Sequence, residues 1–379
     1  MKNRLIKGAV VIAFLAFLIG AFFVPRYEAL GVIGKYLLED AVVFSSPWTE
    51  TEKLVEVLLG EQSYWESPEQ YVDYQEILVQ NENSTCWISE DDEIEHETSV
   101  QTIAAPTTVP TGDTRKTTAS GQSGQVEKLK KTGSVDYLLG NFFIVDSSTS
   151  VVKKEFDVRK MLEENFTLSK QTAKKQILIY HTHGASEAFA DSGKNDTDSV
   201  VGVGDALTTA LEKKGYGVIH DRTKYDVANG KMDRSLAYNE AYKSISRTLQ
   251  DNPSIEVVID LHRDSIQKGK HTSVEINGKQ CAVVMFFNGM SRSKTGPIAY
   301  LANPNRNSNL AFSLQLKCKA MECYPGFTKP IYLKGYRYNL HMKKRSLLIE
   351  LGNQNNTVQE AKNATEPLAD VIDKVLTGK

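Results

Sequence analysis

Three short runs in the C-terminal part of the chain are apolar almost throughout and end on polar side chains. Ile177-Leu178-Ile179-Tyr180 leads into His181-Thr182-His183-Gly184, Val257-Val258-Ile259-Asp260-Leu261 into His262-Arg263-Asp264, and Leu347-Leu348-Ile349 into Glu350-Leu351-Gly352. A run with no polar alternation is suited to a strand covered on both faces, as in a parallel sheet with helices on either side. That constraint predicts an α/β fold with a mostly parallel or mixed sheet flanked by helices. It also predicts where a site would lie, because open α/β sheets bind ligands just beyond the carboxyl ends of their strands.

The segments between these runs support the same fold. The spacing predicts a helix over about 200–214 with Leu207 and Leu211 on one face, a strand over 216–220, a helix over about 235–250 carrying Tyr238, Ala241, Tyr242, Ile245 and Leu249, and a strand from Ile255. Asp251-Asn252-Pro253 stops the second helix. Alternating strands and helices give crossover units. Asn277-Gly278 predicts a tight hairpin between 272–276 and 279–287, because both residues accept positive φ. A further helix is expected near 309–323. Thr357-Val358-Gln359-Glu360 carries a capping-box pattern ahead of a final helical region that Pro367 should divide.

The N-terminal third differs in kind. Lys2, Arg4 and Lys7 precede an apolar run from Gly8 to Val24, at the lower edge of the length needed to span a bilayer. A cleaved signal peptide and a retained anchor both fit. No small-x-small cleavage site follows, since Pro25-Arg26-Tyr27 comes next, so the anchor is the expectation. The basic flank then stays in the cytoplasm and the remainder lies outside. The organisation expected is a cytoplasmic stub and transmembrane anchor at 1–26, an extracytoplasmic region at 27–97, a Ser/Thr/Pro-rich flexible linker at 98–133, and a catalytic domain with its lead-in at 134–379. A net charge of −2, with no basic cluster interleaved with aromatics, gives no support for nucleic-acid binding. Four cysteines at irregular spacing do not form a disulfide framework.

Two imidazoles and a carboxylate at strand ends are the donor types of a hydrolytic zinc site. His183 and His262 are the candidate ligands, with Asp260 or Asp264 available to orient the His262 ring. His181 alternates with His183 and faces away from it wherever the segment is extended. For the third ligand Glu187, Asp196, Asp198 and Asp205 are all available; Glu187 has the shortest tether to His183. Glu350, set in an apolar run, is the candidate general base, because burial raises a carboxyl pKa toward neutrality. His181, His341 and Arg263 are candidate additional ligands or substrate contacts. Taken singly, each residue also has an ordinary structural explanation: a capped loop, a surface ion pair, a buried pair. The weight comes from their equivalent positions on one sheet.

These segments resemble the stage II sporulation protein P family of membrane-anchored cell-wall hydrolases. The resemblance is carried by Ile177–Gly184, Val203-Gly204-Asp205, the 217–221 strand, 252–265, Asn303-Pro304-Asn305, Tyr324-Pro325-Gly326, Tyr338-Asn339-Leu340-His341 and 347–356, in order, over about residues 135–375. It implies a zinc-dependent N-acetylmuramoyl-L-alanine amidase acting on peptidoglycan, with endopeptidase activity in some members. By the same resemblance His183 and His262 are zinc ligands and Glu350 the general base, while the family's helix-start glutamate has no unambiguous counterpart. It further implies a place in engulfment during sporulation, beside a lytic transglycosylase and a membrane partner. The alternative is a non-catalytic, anchored wall- or partner-binding protein of the same fold, and a sugar deacetylase would use similar ligands.

Overall fold

The computed structural model describes residues 119–379, Lys268 excepted. The anchor at 1–26, the region at 27–97 and most of the linker lie outside the described residues. Among those described, no helix is long and apolar enough to cross a membrane.

The chain begins with α1 (Ala119–Thr132) and α2 (Val135–Phe142), then β1 (Phe143–Val145) and α3 (Val158–Glu163). The alternating region follows as β2 (Lys175–Tyr180), α4 (Val200–Lys213), β3 (Gly217–His220), the two-residue strands β4 (Val227–Ala228) and β5 (Lys231–Met232), α5 (Ala237–Asp251) and β6 (Val257–Asp264). Next come β7 (Ser273–Ile276), β8 (Lys279–Ala282), β9 (Val284–Gly289), α6 (Arg306–Cys323), β10 (Ile331–Lys334) and β11 (Arg345–Asn353). The last elements are α7 (Val358–Asn363) and α8 (Thr365–Thr377).

Seven strands form the main sheet in the order β1-β10-β9-β11-β6-β2-β3. β11, β6, β2 and β3 run parallel to one another, and so do β1, β10 and β9; the two groups meet antiparallel at β9 and β11. The sheet is therefore mixed, with one reversal of direction beside β11.

The apolar runs are explained by what covers each face. Ile177, Ile179, Val257, Ile259, Leu261, Leu347, Ile349 and Leu351 enter the larger core with residues of α4, α6, α7 and α8. Leu178, Tyr180 and Val258 point the other way, against Ala237, Ala241 and Ile245 of α5. Leu348 packs with Phe287 and Leu340 on that second face. Because alternate residues face opposite sides, strands covered on both must be apolar at every position. The second face carries the lighter cover, and Asp260 and His262 follow Val258 at two-residue intervals, so they share it.

Three expectations change. The last part of the segment expected to be linker is helical: α1 buries Val126 and Leu129 completely, and Lys130 reaches Glu322 of α6 at 2.7 Å. Its Ser-, Gly- and Gln-rich composition hides a two-residue apolar contact that only tertiary packing rewards. The 279–287 arm is two strands, with β8 pairing β7 in a separate two-stranded sheet and β9 joining the main sheet. The final helices separate at Ala364 instead of at Pro367. Pro367 lies in the first turn of α8, where its missing N–H has no intrahelical acceptor to lose.

Lys317 of α6 is buried, and its Nζ donates to the carbonyl and hydroxyl oxygens of Thr328 at 2.7 and 2.9 Å with no carboxylate partner among the described residues. Burial pulls its pKa down to about 7. A lysine whose folded pKa lies below its unfolded value costs stability at low pH, and the cost disappears as pH rises through the interval between the two. The wild type should therefore gain stability between pH 7 and about 10.4, on the order of 4 kcal/mol for a shift of this size. Lys317→Met should stabilise the fold at pH 7 by roughly 1–3 kcal/mol, less than the full amount because Thr328 loses its donor. That gain should vanish near pH 10. Denaturant titrations of both proteins at the two pH values check this, and equal differences at both would reject it.

Candidate metal centre and active site

The parallel pairing of β6 with β11 sets Glu350 directly opposite His262. His183 follows the end of β2, the neighbour of β6 on its other side. Its ring meets that of His262 edge-on with centroids 5.4 Å apart, and meets Tyr238 of α5 at 5.5 Å. His183, His262 and Glu187 are all buried. Three far-apart pieces of chain thus meet at the carboxyl ends of three adjacent parallel strands.

Glu187 lies in the loop after His183. Its Oε1 is 3.0 Å from His262 Nδ1, and its Oε2 accepts the Arg263 backbone N–H at 3.0 Å. Both oxygens are engaged in setting the end of β6. On the other side of the ring, His262 Nε2 lies 2.8 Å from Asp260 Oδ1, close enough for ion pairing but not aligned for a hydrogen bond. Asp260 is itself held by Thr182, whose backbone N–H and hydroxyl donate to it at 2.9 and 2.6 Å. Asp264, the other residue expected to orient His262, instead pairs with Lys329 at 2.9 Å.

These contacts fix the charge states. Burial alone would push the His262 pKa down, but the carboxylates of Asp260 and Glu187 outweigh it and hold it well above the usual value. Burial pushes His183 well below its usual value, and the cations Arg234 and Arg263 and a charged His262 add to this. Burial pushes Glu350 up to about 8, with Glu187 and Asp264 assisting and His262 opposing.

Three buried polar atoms here have no hydrogen-bond partner among the described residues: His183 Nδ1, His262 Nε2 and Glu350 Oε2. Buried polar atoms are rarely left unpaired. Two imidazole nitrogens and carboxylate oxygens are a donor set that zinc accepts, so the residues present fit such an ion by chemistry. As the side chains stand, no group of three or more His, Cys, Asp or Glu residues among those described is arranged to hold a metal ion.

The remaining candidates are placed as follows. His181 is fully buried and turned away from His183: its Nδ1 is 2.7 Å from the Leu261 carbonyl oxygen, and its Nε2 is 2.8 Å from His220 Nε2. Burial and His220 push its pKa down to about 3. His220 Nδ1 continues to Asp205 at 3.0 Å, so Asp205 serves this pair. Asp196 pairs with Lys224 at 2.7 Å. Ser192 is hydrogen-bonded to the Asp198 carbonyl. Arg263 donates through Nε to the Ala188 carbonyl at 2.8 Å, beside Glu187. His341 stacks on Tyr242 with centroids 5.4 Å apart.

Two contributors went unforeseen in the sequence: Asp226 and Arg234, which border the hairpin of β4 and β5. Its turn, Asn229-Gly230, has φ of 51° and 74°, the same signal that marks Asn277-Gly278.

With this geometry in view, the comparisons with known proteins decide the family. The profile of the stage II sporulation protein P family matches residues 60–373.

The chain belongs to the stage II sporulation protein P family.

Stage II sporulation protein P of Bacillus subtilis (strain 168) is 32% identical over 225 residues, which is 54% of this chain and 53% of that protein. The match thus spans about half the length of this curated relative. Among solved structures, the CwlD amidase of Clostridioides difficile, in complex with the GerS lipoprotein, aligns with a TM-score of 0.37 at 15% identity, covering 54% of this chain and 100% of that one. The N-acetylmuramyl-L-alanine amidase Ami1 of Mycobacterium smegmatis aligns with a TM-score of 0.34 at 12% identity, covering 55% of this chain and 98% of that one.

Close packing behind the site generates a prediction. A Cβ at Gly204 of α4 would lie 2.5 Å from His220 Nε2 and 2.6 Å from His181 Nε2. Gly204→Ala must therefore displace the paired rings, and overpacking of this kind costs roughly 1–3 kcal/mol. Thermal denaturation should show the loss, and a variant as stable as wild type would mean the two rings are not held together as described.

Proposed function

We propose that this protein is a zinc-dependent peptidoglycan hydrolase of sporulation, an N-acetylmuramoyl-L-alanine amidase that cleaves the amide between the lactyl group of muramic acid and L-alanine. The carrying observation is the convergence of His183, His262 and Glu350, each with a buried atom that makes no hydrogen bond, toward the carboxyl ends of adjacent strands. Family membership supports the cell-wall role.

His183 and His262 would hold the ion, with Glu187 the third ligand proposed. When bound, zinc polarises a carbonyl and lowers the pKa of water to about 7. Glu187 at Nδ1 and Asp260 near Nε2 hold the His262 ring between them, and one of these contacts would give way to the ion. Glu350 accepts the proton of the attacking water at Oε2 and returns it to the departing amine nitrogen. Its raised pKa of about 8 places both roles near neutral pH. Arg263, exposed in part beside Glu187, would meet a carboxylate of the stem peptide. His341 and His181 are assigned as substrate contact and structural support respectively. Cleavage of peptide cross-links would use the same groups. Residues 8–24 anchor the protein in the membrane in this reading, with its catalytic domain outside, at the septum where the forespore is engulfed. A lytic transglycosylase and a membrane protein of the same stage would act beside it.

Glu350→Gln should retain zinc while losing about 10²–10⁴-fold in amide cleavage, the range expected of a general base. His262→Ala should lose both zinc and activity. Zinc content after dialysis, and mass spectrometry of peptide released from purified wall by the full chain, provide the measurements. Free stem peptide identifies the amidase and free acetate a deacetylase; release by Glu350→Gln at the wild-type rate would refute the assignment of the base. The second reading is a non-catalytic protein of the same fold that binds wall or a partner. That reading requires wild type to retain no zinc and release no product.

A further inference from the structure

The turn from His183 to Glu187 contains only Gly184, Ala185 and Ser186, yet both its ends belong to the site. Its own backbone holds it loosely: the Ser186 and Glu187 N–H groups both donate to the His183 carbonyl at 3.2 Å. Shorter bonds come from outside. Asp226 accepts the Ala185 N–H through Oδ1 at 2.9 Å, and through Oδ2 it accepts the Ser186 N–H at 2.9 Å and the Ser186 hydroxyl at 2.7 Å. Among the described residues its three side-chain hydrogen bonds all come from this one turn, and it is wholly buried.

Arg234 completes the arrangement. Its Nη1 donates to Ser186 Oγ at 2.9 Å and its Nη2 stands 4.0 Å from Glu187 Oε1. Asp226 and Arg234 flank the hairpin of β4 and β5, and the Asp233 N–H closes its base on the Asp226 carbonyl at 2.9 Å. The Asn229-Gly230 turn fixes the hairpin's register, pairing Val227 with Met232.

A buried carboxylate costs desolvation that an apolar side chain would avoid. This one spends its hydrogen bonds on the segment between two site residues and on no element of the sheet. We propose that Asp226 is a positioning residue: through Ala185 and Ser186 it fixes His183 and Glu187 relative to His262, with Arg234 steadying the same turn. The inference rests on the reading of His183 and Glu187 as zinc ligands. Outer carboxylates that orient metal ligands change affinity by about 10–100-fold when removed.

The test compares the full-length wild type, Asp226→Asn and Asp233→Asn. Asp233 lies at the base of the same hairpin but, among the described residues, bonds only its neighbour Ser235 through its side chain. Zinc affinity is measured by competition with a chromogenic chelator. The His183 ring is followed by NMR in metal-free protein, and its melting temperature is recorded. Asp226→Asn should weaken zinc binding about 10–100-fold and move the His183 ring resonances at nearly unchanged melting temperature, while Asp233→Asn leaves both as in wild type. Wild-type affinity with an unmoved His183 ring in Asp226→Asn overturns the proposal, as does an equal loss in the Asp233 control. If Asp226→Asn does not fold, Ser186→Ala, which removes one of the three bonds, should weaken zinc severalfold; no change there also overturns it. Should wild type bind no zinc, the catalytic reading fails on its own. The His183 resonances of Asp226→Asn then still decide whether Asp226 sets that ring.

Discussion

The site depends on the parallel pairing of β6 with β11. That register places Glu350 opposite His262, and the neighbouring β2 delivers His183 beside them. A slip of one residue would turn Glu350 into the larger core and bring Ile349 to the other face, because side chains alternate. Register is in turn set by burial: Leu347, Ile349 and Leu351 fill one core while Leu348 fills another. The same apolar packing that holds the sheet together therefore sets the spacing of the chemical groups. The strand that carries Glu350 is also where the sheet changes direction, with β9 lying against it antiparallel.

Unequal cover on the two faces explains why polar groups persist inside the protein. The larger core is closed by several helices, whereas the second face has α5 and the turn around Leu340. His262, Asp260 and Glu350 sit on this second face, where Tyr238 of α5 and the loops after β2 and β3 can reach them. Each titrating group there is set by its surroundings: the carboxylates on either side hold the His262 pKa up against burial, and burial, with Glu187 and Asp264 assisting and His262 opposing, raises that of Glu350. Acid and base character are thus divided between two adjacent strands.

Much of this was legible in the chain. The apolar runs, the helix spacing between them and the Asn277-Gly278 turn are local signals, and each corresponds to an element of the fold. The helix in α1 was not legible, because two buried side chains in a polar segment give no periodic pattern. Glu187 was legible as a neighbour of His183, but its attachment to His262 Nδ1 and the Arg263 N–H was not. Nor was the role of Asp205, which as an acidic residue in a helix gives no hint of His220 and His181.

By itself the sequence determined which residues had to be buried strands, and hence that His183, His262 and Glu350 would stand at strand ends; period and apolarity are properties of neighbouring residues. Only the tertiary structure decided the strand order, the reversal at β9, the direction in which His181 turns and the placing of Asp226 beneath the His183–Glu187 turn. Those features join residues far apart along the chain, and such contacts are selected by the packing of whole faces, which no local pattern encodes.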